Sequence, residues 1–237
     1  MDALGHSESD LFADLSWLER QANLRQPQAG DSLSVGRHNF IRPTSLPLFL
    51  AGRAKSCVVD IGGGSGWVLE QCNRSGIDVA RYDVVERSSV VDYFRHLTTK
   101  QLRFHDVANV STLKDCQPLV LYSNSTLQYM TDDRPIMNLA VVTRPEFILL
   151  DELLLSTIDR EWFSIQYNAG VPTVVRFINF QSLLVNLATI GYSVAWTHAT
   201  GKSKRYSLPD MSHFASDLRI DSRLAVLLSR VGDPLPT

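Results

Sequence analysis

Four glycines in five positions follow an acid at the end of an apolar run, and this cluster constrains the chain more than any other. Cys57-Val58-Val59-Asp60-Ile61 leads into Gly62-Gly63-Gly64-Ser65-Gly66, and Trp67-Val68-Leu69-Glu70-Gln71-Cys72 then has the spacing of a helix. Glycine is needed where the backbone turns sharply into a helix and a ligand must lie against it. A bare strand-to-helix turn rarely needs so many. In open α/β sheets ligands bind at the carboxyl ends of the strands, so the cluster predicts both a fold class and the edge on which the site lies.

The rest of the sequence supplies the sheet. Arg81 to Glu86 reads as a second strand, followed by a helix over Val90 to Leu97. Leu102 to His105 is a third strand closed by Asp106, Leu119 to Ser123 a fourth, and Phe147 to Asp151 a fifth, with a helix over Arg134 to Thr143. Short apolar strands alternating with helices predict a parallel sheet covered on both faces, a three-layer α/β sandwich. Phe180 to Ile190 predicts a helix closed by Gly191. Tyr192 to His198 and Arg205 to Leu208 read as two strands whose short connection allows only an antiparallel hairpin, and Leu224 to Val231 as a last helix.

Residues 1–54 differ. Ser9 or Asp10 caps an expected helix with Leu11, Phe12, Leu15, Leu18 and Ala22 on one face, and a loop over Gln26 to Ser34 follows. The segment has too few apolar residues for its own core and reads as a helical N-terminal cap or lid on a domain spanning 55–237.

Composition removes several classes. With 237 residues, 44% of them hydrophobic, the chain is long enough for one large core and too apolar for disorder. Its 23 Lys+Arg against 25 Asp+Glu argue against a broad basic surface for nucleic acid. The start lacks the pattern of a signal peptide, and no stretch approaches the roughly 20 apolar residues that span a bilayer. Cys57, Cys72 and Cys116 form no C-x-x-C pair, which predicts reduced thiols in the cytoplasm.

Two ligand classes compete for the glycine loop. A dinucleotide fingerprint G-x-G-x-x-G started at Gly62 puts its third glycine where Trp67 stands, and Trp prevents the close helix-to-strand packing that glycine permits. Asp60-Ile61-Gly62-Gly63-Gly64-Ser65-Gly66 instead fits D-x-G-x-G-x-G, and so resembles the class I S-adenosylmethionine (SAM) dependent methyltransferases. Val58 to Gly66, Val84-Val85-Glu86, Leu119 to Ser123, Leu127-Gln128-Tyr129 and Phe147 to Asp151 further resemble a family of bacterial methyltransferases associated with surface-saccharide gene clusters. The chain departs from that family in reading Glu152-Leu153-Leu154 after Asp151.

The resemblance implies a Rossmann-like, mostly parallel seven-stranded sheet with an antiparallel C-terminal hairpin, and SAM as cofactor. It implies that Asp60 orients the methionine end of SAM above Gly62, Gly63, Gly64 and Gly66. Glu86, about twenty residues past Gly66, has the spacing of a carboxylate that takes the ribose hydroxyls, with Arg87 beside it. The resemblance assigns Asp106 and Val107 to the adenine, and Ser123 and Asn124 to the neighbourhood of the sulfonium.

Methyl transfer from a sulfonium is an in-line displacement, so the protein must hold acceptor and methyl together and exclude water. A hydroxyl acceptor also needs a group to take its proton. The catalytic candidates are Tyr129, Asp151 and His38, with Arg42 if the N-terminal segment folds over the cofactor. Trp162, Phe163, Tyr167 and Phe177 are candidates for a substrate wall, and Lys202, Lys204 and Arg205 for contact with an anionic substrate. Only Asn124, Asp151 and Glu152 offer oxygen ligands at adjoining strand ends, and no metal is expected. The expected reaction is O-methylation of a sugar or related small polar molecule, without a nucleic acid or membrane partner; a homodimer stays open. The rival readings are a nicotinamide-dependent oxidoreductase and a SAM-binding module without catalysis.

Overall fold

The structure, a computed structural model, describes residues 14–25, 44–168, 171–200 and 211–231. Two helices, α1 (Leu15–Arg25) and α2 (Ser45–Leu50), precede β1 (Ser56–Ile61). Then come α3 (Trp67–Arg74), β2 (Val79–Glu86), α4 (Ser88–Phe94), β3 (Leu102–Asp106), β4 (Val120–Asn124), α5 (Arg134–Thr143) and β5 (Phe147–Leu153). After the pair β6 (Trp162–Asn168) and β7 (Val171–Phe177) the chain closes with α6 (Phe180–Thr189), β8 (Tyr192–Thr200) and β9 (Arg223–Arg230).

Among the described residues, seven strands form one sheet in the order β3-β2-β1-β4-β5-β9-β8. The pairs from β3 through β5 are parallel, and β9 lies antiparallel to both β5 and β8. Strand order reverses between β1 and β4, the switch point at which open α/β sheets take ligands. Buried side chains alternate across the sheet. Val59, Ile61 and Leu121 pack beneath α5 and α6, whereas Val58, Val120 and Tyr122 pack beneath α2 and α3. Leu46 and Leu50 of α2 are fully buried in that second layer, so this part of the N-terminal segment belongs to the core of the sheet.

Two expectations are corrected here. The run Leu224 to Val231 is the antiparallel strand β9, inserted between β5 and β8, and not a helix. Its continuous apolar stretch is buried on both faces of the sheet, where strand alternation disappears and a buried helix has the same pattern. β8 therefore pairs with β9; the strand expected at Arg205 to Leu208 lies outside the described residues. The stretch that holds Trp162, Phe163, Tyr167 and Phe177, where the pattern gave no strand, contains the two-stranded sheet β6–β7. Trp162, Phe163, Ile165 and Tyr167, interleaved with polar residues, are typical strand formers.

Candidate functional site

The glycine loop leaves β1 at the switch point. Gly62 has φ 76°, and a Cβ built there would overlap the Thr126 side chain, which arrives from the end of β4. Only glycine meets both conditions. At Gly63 a Cβ would overlap Oδ2 of Asp60, so the loop closes directly over that carboxyl group. Helix α1 docks on the far side of the loop. Arg25 Nη1 donates to Ser65 O at 2.6 Å while its Nη2 pairs with Glu70 at 2.7 Å, and Ser65 Oγ donates to Gln21 O at 2.7 Å.

Three acids end three adjoining strands. Asp60, Glu86 and Asp106 stand near the carboxyl ends of β1, β2 and β3, and Glu86 and Asp106 are register partners. Glu86 Oε1 accepts from Gly64 N at 3.1 Å and its Oε2 from Arg87 N at 3.2 Å, so this buried carboxylate is fastened to the loop and to the start of α4. Asp106 accepts from Ala108 N at 2.8 Å and from the Ser88 hydroxyl, and Val107 packs against the core beside it. Asp60 is the most unusual. It is 1% exposed, its Oδ2 accepts from Tyr82 OH at 2.6 Å, and burial, reinforced by the nearby Glu86 charge, pushes it up to about 7.

The end of β4 supplies polar atoms that have no partner. Ser123 Oγ and Asn124 Oδ1 are buried without a hydrogen bond. Buried polar groups are nearly always paired, so these two atoms at the carboxyl end of β4 are available to a ligand's own polar groups. Beyond them the backbone is strained. Ser125 has φ 56° and Glu152 φ 55°, both non-glycine residues in the left-handed region. The two belong to one network: Arg223 Nη1 of β9 lies 2.9 Å from Glu152 and donates to Ser125 Oγ at 3.2 Å, and Gln128 Nε2 donates to the same oxygen at 2.7 Å.

The catalytic candidates are distributed differently from one another. Tyr129 faces β7 and packs in an apolar cluster with Leu154, Val175 and Phe177. Asp151 is buried, and its Oδ2 accepts from Ser45 N and from Tyr122 OH, each at 2.9 Å, while the Ser45 hydroxyl donates to Oδ1. Its carboxylate therefore ties the N-terminus of α2 to β4. His38 and Arg42 lie outside the described residues, as do Lys202, Lys204 and Arg205. Of the four expected wall residues, Trp162 and Phe177 stack at 3.7 Å inside that same apolar cluster, whereas Phe163 and Tyr167 are exposed. Among the described residues no group of three His, Cys, Asp or Glu could hold a metal ion, and no helix is long and apolar enough to cross a membrane. The three cysteines are free.

Tyr82, Tyr122, Ser45, Gln128 and Arg223 had no sequence signal for this role. A tyrosine inside an apolar strand reads as core, and only the register across β2, β1, β4 and β5 brings the two hydroxyls onto Asp60 and Asp151.

No protein-family model matches the sequence, and no curated protein matches it. Solved structures do. A Haloferax volcanii protein solved with the Trm112 methyltransferase activator is 14% identical, with a TM-score of 0.59 over 93% of this chain and 97% of its own. The glycopeptide N-methyltransferase MtfA, complexed with SAM, is 14% identical with a TM-score of 0.52, covering 79% and 93%. A SAM-dependent methyltransferase from Methanosarcina mazei is 11% identical, also at 0.52, covering 76% and 94%. The chain has the SAM-dependent methyltransferase fold.

Proposed function

We propose that this protein is a SAM-dependent methyltransferase acting on a small polar molecule, with transfer to a hydroxyl of a sugar or related metabolite as the favoured reaction. The observation that carries the reading is the row of Asp60, Glu86 and Asp106 near the ends of β1, β2 and β3, arranged around a glycine loop at the switch point. A ligand with a cationic amino-acid end, a ribose and an adenine finds a carboxyl group for each part along that row. The fit is supported by the unpaired Ser123 Oγ and Asn124 Oδ1 one strand further on, where the reacting ends meet. Trp67, the first residue of α3, weighs against a dinucleotide for the packing reason given above.

In this reading Asp60 and the loop from Gly62 to Gly66 hold the methionine end, Glu86 the ribose, and Asp106 with Val107 the adenine. When bound, SAM supplies an electrophilic methyl group on a sulfonium. Ser123 and Asn124 stand beside the sulfonium, and Tyr129 packs in the apolar cluster with Leu154 and Phe177. Asp151 supports the site by anchoring α2, and a hydroxyl acceptor needs its base from elsewhere, for which His38 is the sequence candidate.

Calorimetric titration with SAM, S-adenosylhomocysteine and NAD tests the cofactor, and binding of NAD without SAM contradicts the proposal. Replacing Glu86 with Ala is expected to weaken SAM binding by about 1–3 kcal/mol, the range for a hydrogen-bonding carboxylate. Unchanged affinity removes Glu86 from the site.

A further inference from the structure

Two aspartates are buried in adjacent strands, and their surroundings differ in one respect. Asp83 in β2 has Arg81 Nε at 2.6 Å and His105 Nε2 at 2.7 Å. Burial acts to raise its proton affinity, but these two partners outweigh it and hold the carboxyl below its ordinary value. Asp60 in β1 is as deeply buried and has a phenol in place of a cation. Among the described residues, the groups that act on it or feel it are Tyr82 and Glu86 from β2, Tyr122 from β4 and Cys72 from α3, and none of these is positively charged. Arg25 of α1 couples to Tyr82.

A buried carboxylate without a cation favours its protonated form, and a neutral donor offsets that only in part. Asp60 therefore stands at the balance between its two forms near neutral pH, directly under the glycine loop. A ligand that brings a cation to this carboxyl tips it to the ionised form.

We infer that Tyr82 is a positioning residue for the cofactor: its buried hydroxyl fixes Asp60 Oδ2, leaves Oδ1 for the cofactor's α-ammonium, and couples cofactor binding to loss of the Asp60 proton. The inference rests on the methyltransferase reading and adds a linkage to it. The balance is simple. Protonated Asp60 and the ammonium of the incoming cofactor give a carboxylate–ammonium pair, and one proton passes to the solvent. No covalent bond of the cofactor changes.

The coupling predicts a profile with two limbs. Below pH 7, Asp60 is mostly protonated in the free protein, so affinity falls as pH falls. At higher pH the α-amino group of the cofactor begins to lose its own proton, and binding must then take one up. Affinity is greatest between the two. Tyr82→Phe removes the donor that favours the ionised form. A rise of about one unit in the Asp60 value lowers its ionised fraction at pH 7 from about one half to about one tenth, and so weakens binding about fivefold.

The test is titration calorimetry with S-adenosylhomocysteine, which keeps the α-ammonium and lacks the sulfonium, in pairs of buffers with different ionisation enthalpies. The wild-type protein is expected to release close to one proton per ligand at pH 6 and progressively less as pH rises through 7. Tyr82→Phe is expected to raise the release at pH 7 and weaken binding there about fivefold, while Asp60→Asn abolishes the release at pH 6. Ligand binding at pH 6 with no dependence on buffer overturns the inference and leaves the methyltransferase reading standing. So does a folded Tyr82→Phe with wild-type affinity and release. If Tyr82→Phe does not fold, the wild-type measurement and Asp60→Asn decide alone. Failure of both S-adenosylhomocysteine and SAM to bind at any pH rejects the methyltransferase reading, and the inference with it.

Discussion

Replacing Asp151 with Ala separates a supporting role from a catalytic one. The carboxylate is 4% exposed and accepts from Ser45 N and Tyr122 OH, both at 2.9 Å, and from the Ser45 hydroxyl. Removing it deletes three bonds to the carboxylate and leaves the fully buried Tyr122 hydroxyl proton without its acceptor, although Thr44 still bonds that oxygen. A bond to a charged group contributes about 1.5–3 kcal/mol, and a stranded buried donor costs about 1–3 kcal/mol. Because Ser45 starts a helix at the N-terminal edge of the core, water can replace part of what it loses. The expected destabilisation is therefore about 3–5 kcal/mol, visible as a lower urea midpoint with an unchanged slope. Tyr122→Phe, which removes only one of the donors, is expected to cost about 1–2 kcal/mol. The double variant should fall short of the sum, since the two residues share a bond. A change below about 1 kcal/mol in Asp151→Ala, accompanied by loss of methyl transfer with cofactor binding intact, refutes the reasoning and returns Asp151 to the reaction centre.

Other outcomes follow from the same contacts. Arg176 of β7 is 1% exposed and pairs with buried Asp133 at 2.5 Å, so Arg176→Ala is expected to cost about 3–5 kcal/mol in denaturant unfolding. Breaking the exposed pair of Arg134 with Asp132 is expected to leave the denaturant midpoint nearly unchanged, since water and salt screen it. The folded-state value of Asp83 is depressed, so its stabilisation is present above the unfolded value and is lost as pH falls through the folded one. Asp83→Asn should flatten the acid side of the stability curve below about pH 4. Asp60 has the opposite sign: raised to about 7, it favours the folded state most at low pH and loses that contribution as pH rises from about 4 to 7, a slope that Asp60→Asn removes. Gly62→Ala meets both a left-handed backbone and the Thr126 side chain, and is expected to destabilise by about 2 kcal/mol or more and to abolish cofactor binding in the titration.

The parallel half of the sheet was legible because its strands are short, apolar and separated by helices of clear period. Each strand from Ser56 to Leu153 lies within a few residues of where the pattern puts it. The glycine loop was legible for a similar reason, since its residues are local in sequence and each has a conformational cause. β9 was not, because Leu224 to Leu228 has no polar residue to reveal a period of two. The hairpin β6–β7 was missed because its aromatic residues were read as the wall of a site and not as strand formers.

What the sequence alone determined is the order of the elements, the edge on which the site lies, and the acids that end the strands. These depend on neighbours in the chain, through turn geometry and periodicity. Tertiary structure decided what surrounds each buried acid, and so what each one does. Asp60, Asp83 and Asp151 are all buried aspartates in the parallel half of one sheet, indistinguishable as letters. One faces a tyrosine, one an arginine and a histidine, and one the start of a helix more than a hundred residues away in the chain. Proton affinity is set by what stands within a few ångströms, and across a parallel sheet those neighbours come from register, which no local pattern specifies.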